Sequence, residues 1–380
     1  MAEATLFDMT GMNGTGSGMG VNARSGSGRP FDICGPRFWA SGEYMVSWYS
    51  PMNTPPLVQT IPSVLVNDPQ AIPATSFPSR PTVSYNGLSG FRVNVGANFQ
   101  KTGIDVGAFA IQQHTLNTSL ANDGTPVFIG RPFIDSTTGQ PATLNISNPN
   151  QYSGGVTSSI TSQVFGFEAN VRRGWYTFLS DSTNLLAGFR YFDLQESIDV
   201  SSFSAFPTGD TVAISDSFRT HNSFYGGQIG FSTIYGGDQA GFGFAFTSKS
   251  GIGGVNQRVD IVGTNTINQS GVVTTEAGGL LARGFNSGSF SRGKFAYMQD
   301  MDVKLTYNFS SAFQVSLGYS LFYISSVVRA GDQVSPYINP NEIRFINGGL
   351  PSVVGPQPTF AWNSHSFVIH GMTFGAKLAY

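Results

Sequence analysis

Glu43, Arg92, Asp105, Glu168, Arg190, Glu196, Asp300, Asp302, Lys304 and Lys377 are the side chains that could do electrostatic work, and each falls in or beside a short segment with apolar residues at alternate positions. Side chains at i and i+2 share one face of a strand, so these charges fall opposite the apolar face. Six acids and four bases enclosed by one sheet would either line a constriction that discriminates ions or pair with one another and fill the interior. A buried charge without a partner costs several kcal/mol, so opposite signs on facing strands are expected in both cases. Arg190 with Glu168 or Glu196 is the preferred pair.

Catalytic signatures are weak by comparison. The sequence has no G-x-S-x-G and no H-E-x-x-H; the nearest thing to a phosphate loop, Gly288 to Lys294, is followed by Phe295 where Ser or Thr would hold magnesium. His114, His221, His365 and His370 lack metal-ligand spacing, and Cys34 stands alone. No catalytic residue, metal or cofactor is assigned, and the chain is not expected to be an enzyme.

The elements that carry the charges are read from composition and period. Only 11% of 380 residues are Asp, Glu, Lys or Arg, against about 25% in ordinary soluble domains. Mean hydropathy is only -0.04, so neutral polar residues and 47 glycines take the place of charge. No stretch approaches the roughly 18 apolar residues of a membrane helix. A pI near 6.1 with dispersed Lys and Arg argues against nucleic-acid binding.

Residues 1–36 are rich in Gly, Ser, Asn and Met and read as a flexible tail. The start, Met1 to Ala4, shows neither the basic nor the apolar region of a leader, so either the leader has been removed, as an outer-membrane location would require, or the chain is cytosolic. From residue 37 onward ten segments alternate. The last is the clearest: Met372, Phe374, Ala376, Leu378 and Tyr380 fall on one face, with Gly371, Thr373, Gly375, Lys377 and Ala379 on the other. Small residues on the polar face suit a crowded interior better than a wetted surface. Connection lengths alternate too. Tight turns near residues 100–102, 235–238 and 310–311 contrast with long stretches at 50–87, 113–157, 195–214, 248–291 and 329–362.

Alternation with short turns at one end and long loops at the other is the pattern of an outer-membrane barrel. In lipid every backbone polar group must be paired within the protein, so a spanning sheet has to close. The expectation is therefore an all-β, closed antiparallel transmembrane barrel over 37–380, of about ten strands (range 10–12), with short periplasmic turns and long extracellular loops. Trp39 and Trp175 near the periplasmic rim and Trp48 and Trp362 near the outer rim read as interface aromatics. His221 and His365 fall near the outer rim, where some outer-membrane proteases and lipases carry His with Asp or Ser; this is a minor reading.

Specific strings also resemble a family. Phe38 to Tyr44 (FWASGEY), Pro55 to Thr60 (PPLVQT), Gly188 to Ser197 (GFRYFDLQES) and Gly371 to Gly375 (GMTFG), followed by terminal Tyr380, resemble in order the putative beta barrel porin-7 family, best known from planctomycete genomes. The resemblance runs from about Arg37 to Tyr380. It implies location in a bacterial outer membrane and barrel architecture more firmly than transport. Barrels of this kind also imply that Met372, Phe374, Ala376, Leu378 and Tyr380 form the signal read by the barrel-assembly machinery.

The expected function is a surface-exposed protein or a narrow porin-like channel with a charge-lined lumen. Its partners would be outer-membrane lipid, the assembly machinery and, if it conducts, small polar solutes or ions. The alternative is a soluble or secreted β-sandwich that builds a surface layer or binds glycans; it would pack Phe242, Phe244 and Phe246 inside.

Overall fold

A computed structural model describes residues 37–62, 75–99, 102–122, 127–177, 180–236, 240–343 and 358–380, the side chains of 176–182 excepted. The tail expected over 1–36, with Cys34, lies outside them. Ten strands of one antiparallel sheet form the wall: β1 (Arg37–Tyr49), β2 (Leu88–Phe99), β3 (Thr102–Ala121), β4 (Ser153–Thr177), β5 (Ser180–Ala205), β6 (Thr211–Gly236), β7 (Gly241–Gln269), β8 (Gly288–Asn308), β9 (Phe313–Val327) and β10 (His365–Ala379), and an eleventh, Val272–Ala277, pairs with the end of β7. Each of the ten pairs with the next, and β10 pairs with β1 (Trp39 opposite Ala379, Tyr49 opposite Ile369), so the sheet closes. Among the described residues no helix is long and apolar enough to cross a membrane; crossing is by strands.

The outer wall carries the apolar face. Phe91, Val93 and Val95 of β2, Phe242 and Phe244 of β7, Leu305 of β8, Leu317 of β9, and Met372, Phe374 and Leu378 of β10 are all exposed, Phe242 at 70%. A soluble sandwich would have buried them. The chain instead turns them to lipid, and the β-sandwich alternative falls with them.

Strands β4 to β7 hold 25, 26, 26 and 29 residues, where about 9–11 cross a bilayer. Three stretches expected as long loops are therefore mostly strand: 113–157 holds the ends of β3 and β4 with Val127–Asp135 and Pro141–Ser147 between them, 195–205 and 211–214 finish one hairpin, and 248–269 continues β7. The reason is chemical. Beyond the lipid zone outward positions change from Phe and Leu to Ser, Thr and Asn, so the lipid-facing signal stops while the ladder continues. The result is a tower above the membrane zone. It is filled by a small sheet (Val58–Pro62, Thr75–Phe77, Val127–Asp135, Pro141–Ser147, Tyr337–Ile338) and by buried Leu280, Leu281 and Ala282.

Candidate functional site

Inward positions of the ten strands build the lumen. Glu168 and Arg190 stand directly opposite each other on β4 and β5, and Arg190 Nη1 donates to Glu168 Oε2 at 2.7 Å and to Asp300 Oδ2, on β8, at 2.8 Å. Lys249 Nζ on β7 reaches Glu168 Oε1 at 2.6 Å. Gln228 Nε2 on β6 donates to Glu168 at 2.9 Å and to Asn170 Oδ1 at 2.6 Å. Nearer the short turns, Arg92 on β2 donates to Asp302 Oδ1 at 2.8 Å and lies 3.6 Å from Glu43. Lys304 donates to Glu43, and Arg172 Nε is 2.8 Å from Asp105. Glu168, Arg190, Asp300 and Asp302 are buried, and none of these contacts except Arg190 to Glu168, Arg172 to Asp105 and Arg92 to Glu43 joins neighbouring strands. The others span the lumen.

Of the ten charges named from sequence, eight stand in this network. Glu196 sits higher, bound through both carboxylate oxygens by Arg329 at 2.7 to 2.9 Å; of the two candidates for Arg190, the contact is with Glu168. Lys377 makes no ion pair among the described residues and lies 4.9 Å from the centre of the Trp39 ring. Sequence reading missed Arg172, Lys249, Asn170, Gln228 and Arg329. Lys249 had a signal: it lies three positions beyond Phe246, on the face opposite the Phe242, Phe244 and Phe246 stripe. Arg329 follows β9, where periodicity no longer applies.

Above the ion pairs comes an aromatic layer. Phe109, Phe192, Phe322 and Phe367 are buried, with Phe192 and Phe322 stacked at 4.7 Å, and the Arg190 guanidinium lies 5.8 and 5.5 Å from the centres of Phe109 and Phe322. Arg329 lies over the opposite side of the layer, 4.9 Å from Phe367. Burial disfavours the charged form of Arg329, but the Glu196 carboxylate more than offsets it and the net effect is upward. Three buried polar contacts pin the filling segments inside the tower: Glu196 with Arg329; Arg131 with Asp216 at 2.5 Å; and Asn222, which exchanges two hydrogen bonds with the Val328 backbone at 2.7 and 2.8 Å. Asp216 also accepts the backbone N–H groups of Leu280, Leu281 and Ala282.

The interface aromatics divide. Trp175 is exposed, and Trp48 stacks on His370. Trp362 lies in the last long connection with Arg292 over its ring at 4.2 Å. Trp39 requires correction: it sits at the expected end, but its ring points into the lumen between Arg172 and Lys377. Its position has the same parity as Glu43, so the strand turns it inward; Gly96 opposite leaves room, since a Cβ there would meet the indole at 2.6 Å. This end of the lumen holds a cavity of about 190 Å³ that reaches up into the network: Trp39, Arg172, Gln314, Ser316 and Lys377 line it together with Glu43, Arg92, Glu168, Lys249 and Asp302.

His221, on the outer wall, has one ring nitrogen in two contacts: Nε2 is 2.6 Å from Asp193 Oδ2 and 3.1 Å from Ser223 Oγ. A hydrolytic relay would need the carboxylate on one nitrogen and the hydroxyl on the other. His365 contacts Asp332 at 3.0 Å.

A closed ten-stranded meander with a lipid-facing belt and a polar interior is the architecture that a family match has to fit, and it does. The chain belongs to the family described as Putative beta barrel porin-7 (BBP7), whose model matches residues 39–380. This member of the BBP7 family is an outer-membrane protein of porin-like type. No curated protein matches it. Solved structures to which it is similar include the outer membrane protease OmpT from Escherichia coli (8% identity, 90% of this chain and 97% of that chain covered, TM-score 0.39). Others are the CymD monoaromatic hydrocarbon channel (8%, 91% and 88%, 0.18) and a Pseudomonas aeruginosa FadL homologue (7%, 91% and 90%, 0.21).

Proposed function

We propose that this protein is a bacterial outer-membrane barrel that displays a rigid extracellular tower and keeps its charge-lined lumen shut. The observation that carries this reading is the aromatic layer of Phe109, Phe192, Phe322 and Phe367, buried between the Arg190 cluster and the Glu196–Arg329 pair. A small barrel has little interior beyond its own side chains, and here ion pairs and then aromatic rings occupy it. Its role is at the surface and is not catalytic, with lipid around its belt and the assembly machinery as the reader of its last strand. Reconstitution in planar bilayers tests this: the expected result is no unitary current steps under moderate voltage, and regular steps would overturn it.

The second reading is the narrow channel, favoured by the polar cavity at the short-turn end. It requires Arg329 and the aromatic layer to move aside. Lys304→Glu then separates the two: in a conducting lumen it changes ion preference, and in a shut one it changes only stability.

A further inference from the structure

We infer that the short-turn mouth of the lumen is a binding site for a small oxyanion, held by Lys377 with Trp39 and Arg172. This goes beyond the reading of a shut barrel and does not depend on it, because the mouth lies on one side of the aromatic layer.

The first observation is a surplus charge. Every lumen carboxylate below the aromatic layer already has a cation within 4 Å: Glu43 has Lys304 and Arg92, Asp105 has Arg172, Glu168 has Arg190 and Lys249, Asp300 has Arg190, and Asp302 has Arg92. Among the cations that line the cavity there, Lys377 alone has no carboxylate partner among the described residues. Its ammonium and the Arg172 guanidinium are 4.9 and 4.8 Å from the centre of one ring, Trp39. An aromatic ring attracts each cation, but it does nothing to neutralise two of them.

The second observation is an unused donor. Trp39 Nε1 is buried and donates to no acceptor among the described residues, and a buried N–H without a partner is unusual enough in a folded protein to mark a missing one. The third is space. The cavity of about 190 Å³ holds this ring and Lys377 at its wall, with Gln314 and Ser316 as further polar groups; the carboxylates that also line it, Glu43, Asp105, Glu168 and Asp302, are those already paired with cations. An ammonium, an indole N–H and a nearby guanidinium form a donor set for an oxygen-rich anion, and charge-assisted hydrogen bonds are the stronger class. Arg172 contributes mainly its field, since its Nε is already 2.8 Å from Asp105 and its Nη2 donates to Asn98 at 3.3 Å. Phosphate and carboxylate share this chemistry; chloride offers charge without directed acceptors.

The test uses the full chain folded in detergent, with Trp48→Phe, Trp175→Phe and Trp362→Phe so that Trp39 is the reporter. Sodium phosphate is titrated at constant ionic strength against sodium acetate and sodium chloride. A saturable change in Trp39 emission with phosphate or acetate, absent with chloride, is expected; whichever of the two binds tighter names the oxyanion. Lys377→Met should weaken binding by about tenfold or more, the loss of one charge-assisted hydrogen bond, while Lys377→Arg keeps it within about threefold because the charge remains. Since Lys377 makes no ion pair, both variants should fold, which heat-shifted gel mobility checks. Absence of saturation, an equal response to chloride, or unchanged binding by Lys377→Met would each overturn the inference. Bilayer conductance is scored separately, so either reading can fail alone.

Discussion

Arg92 donates to Asp302 at 2.8 Å although the two side chains come from strands four places apart around a ten-stranded barrel. The bond therefore braces the lumen almost across its width. Arg190 to Asp300 and Lys249 to Glu168 each join strands three places apart in the same way. Removing one member leaves its partner charged and enclosed, which is the costly way to break such a pair.

Asp302→Ala should thus destabilise the barrel by about 3 kcal/mol, the lower end of the range for a broken buried pair, because Arg92 keeps Glu43 at 3.6 Å. The reading is the temperature at which the folded gel band is lost. Asp302→Ala combined with Arg92→Ala should cost less than the two single changes added together; simple additivity would mean that the contact carries no coupling.

Glu196→Ala should release the segment around Arg329 from the tower, because all three of its charged hydrogen bonds to that carboxylate vanish together. Limited proteolysis of the folded protein should then cut between residues 328 and 343, where the parent protein resists. An unchanged digestion pattern would show that Asn222 and the apolar packing hold the segment unaided.

Asp216→Asn tests the innermost anchor. Arg131 and Asp216 are both fully buried, so neutralising one should lower stability by roughly 3 kcal/mol or more. It should also loosen Leu280 to Ala282, whose amides bond to the same carboxylate. Amide exchange of those residues reports it.

Brominated acyl chains should quench Trp175 and leave Trp39 untouched in single-tryptophan variants, because Trp175 is exposed on the outer wall and Trp39 faces the lumen. Equal quenching of both would return Trp39 to the interface.

The turn after Val127–Asp135 should loosen in acid. Asp135 accepts from Thr137 N at 2.8 Å and Thr137 Oγ1 at 2.6 Å, and the Thr137 side-chain bond leads in holding its carboxyl below the ordinary range. A group whose folded pKa is depressed stabilises above its unfolded value, about 3.9 for Asp, and that contribution fades as pH falls through the folded value. Protection of the Thr137 amide should accordingly be constant near neutrality and decline below about pH 4, the ordinary carboxylate range.

The barrel was legible in the sequence because lipid imposes a simple rule on the outer wall. Phe242, Phe244 and Phe246 announce their face without reference to any neighbour. In the tower that rule lapses: Ser201, Ser215 and Thr264 meet water, and Ile198, Ile214 and Ile261 pack inside a soluble-type core, so alternation persists in a weaker form that reads as loop. The charge network was half legible. Which positions face inward follows from parity along a strand, as with Glu43 and Trp39; which partners meet across the lumen depends on the stagger of strands far apart in sequence. Arg131 and Arg329 were hidden for a different reason, since they lie in connections where no period predicts what is enclosed.

Closure of β1 on β10 joins the first described strand to the last. The segments that fill the tower lie between them in sequence, including Val58–Pro62, Val127–Asp135 and Tyr337–Ile338, and are enclosed by the wall that this seam completes. A break at this one seam would therefore open the barrel wall and the packed interior together, so the pairing of Arg37–Tyr49 with His365–Ala379 guards the core as well as the belt.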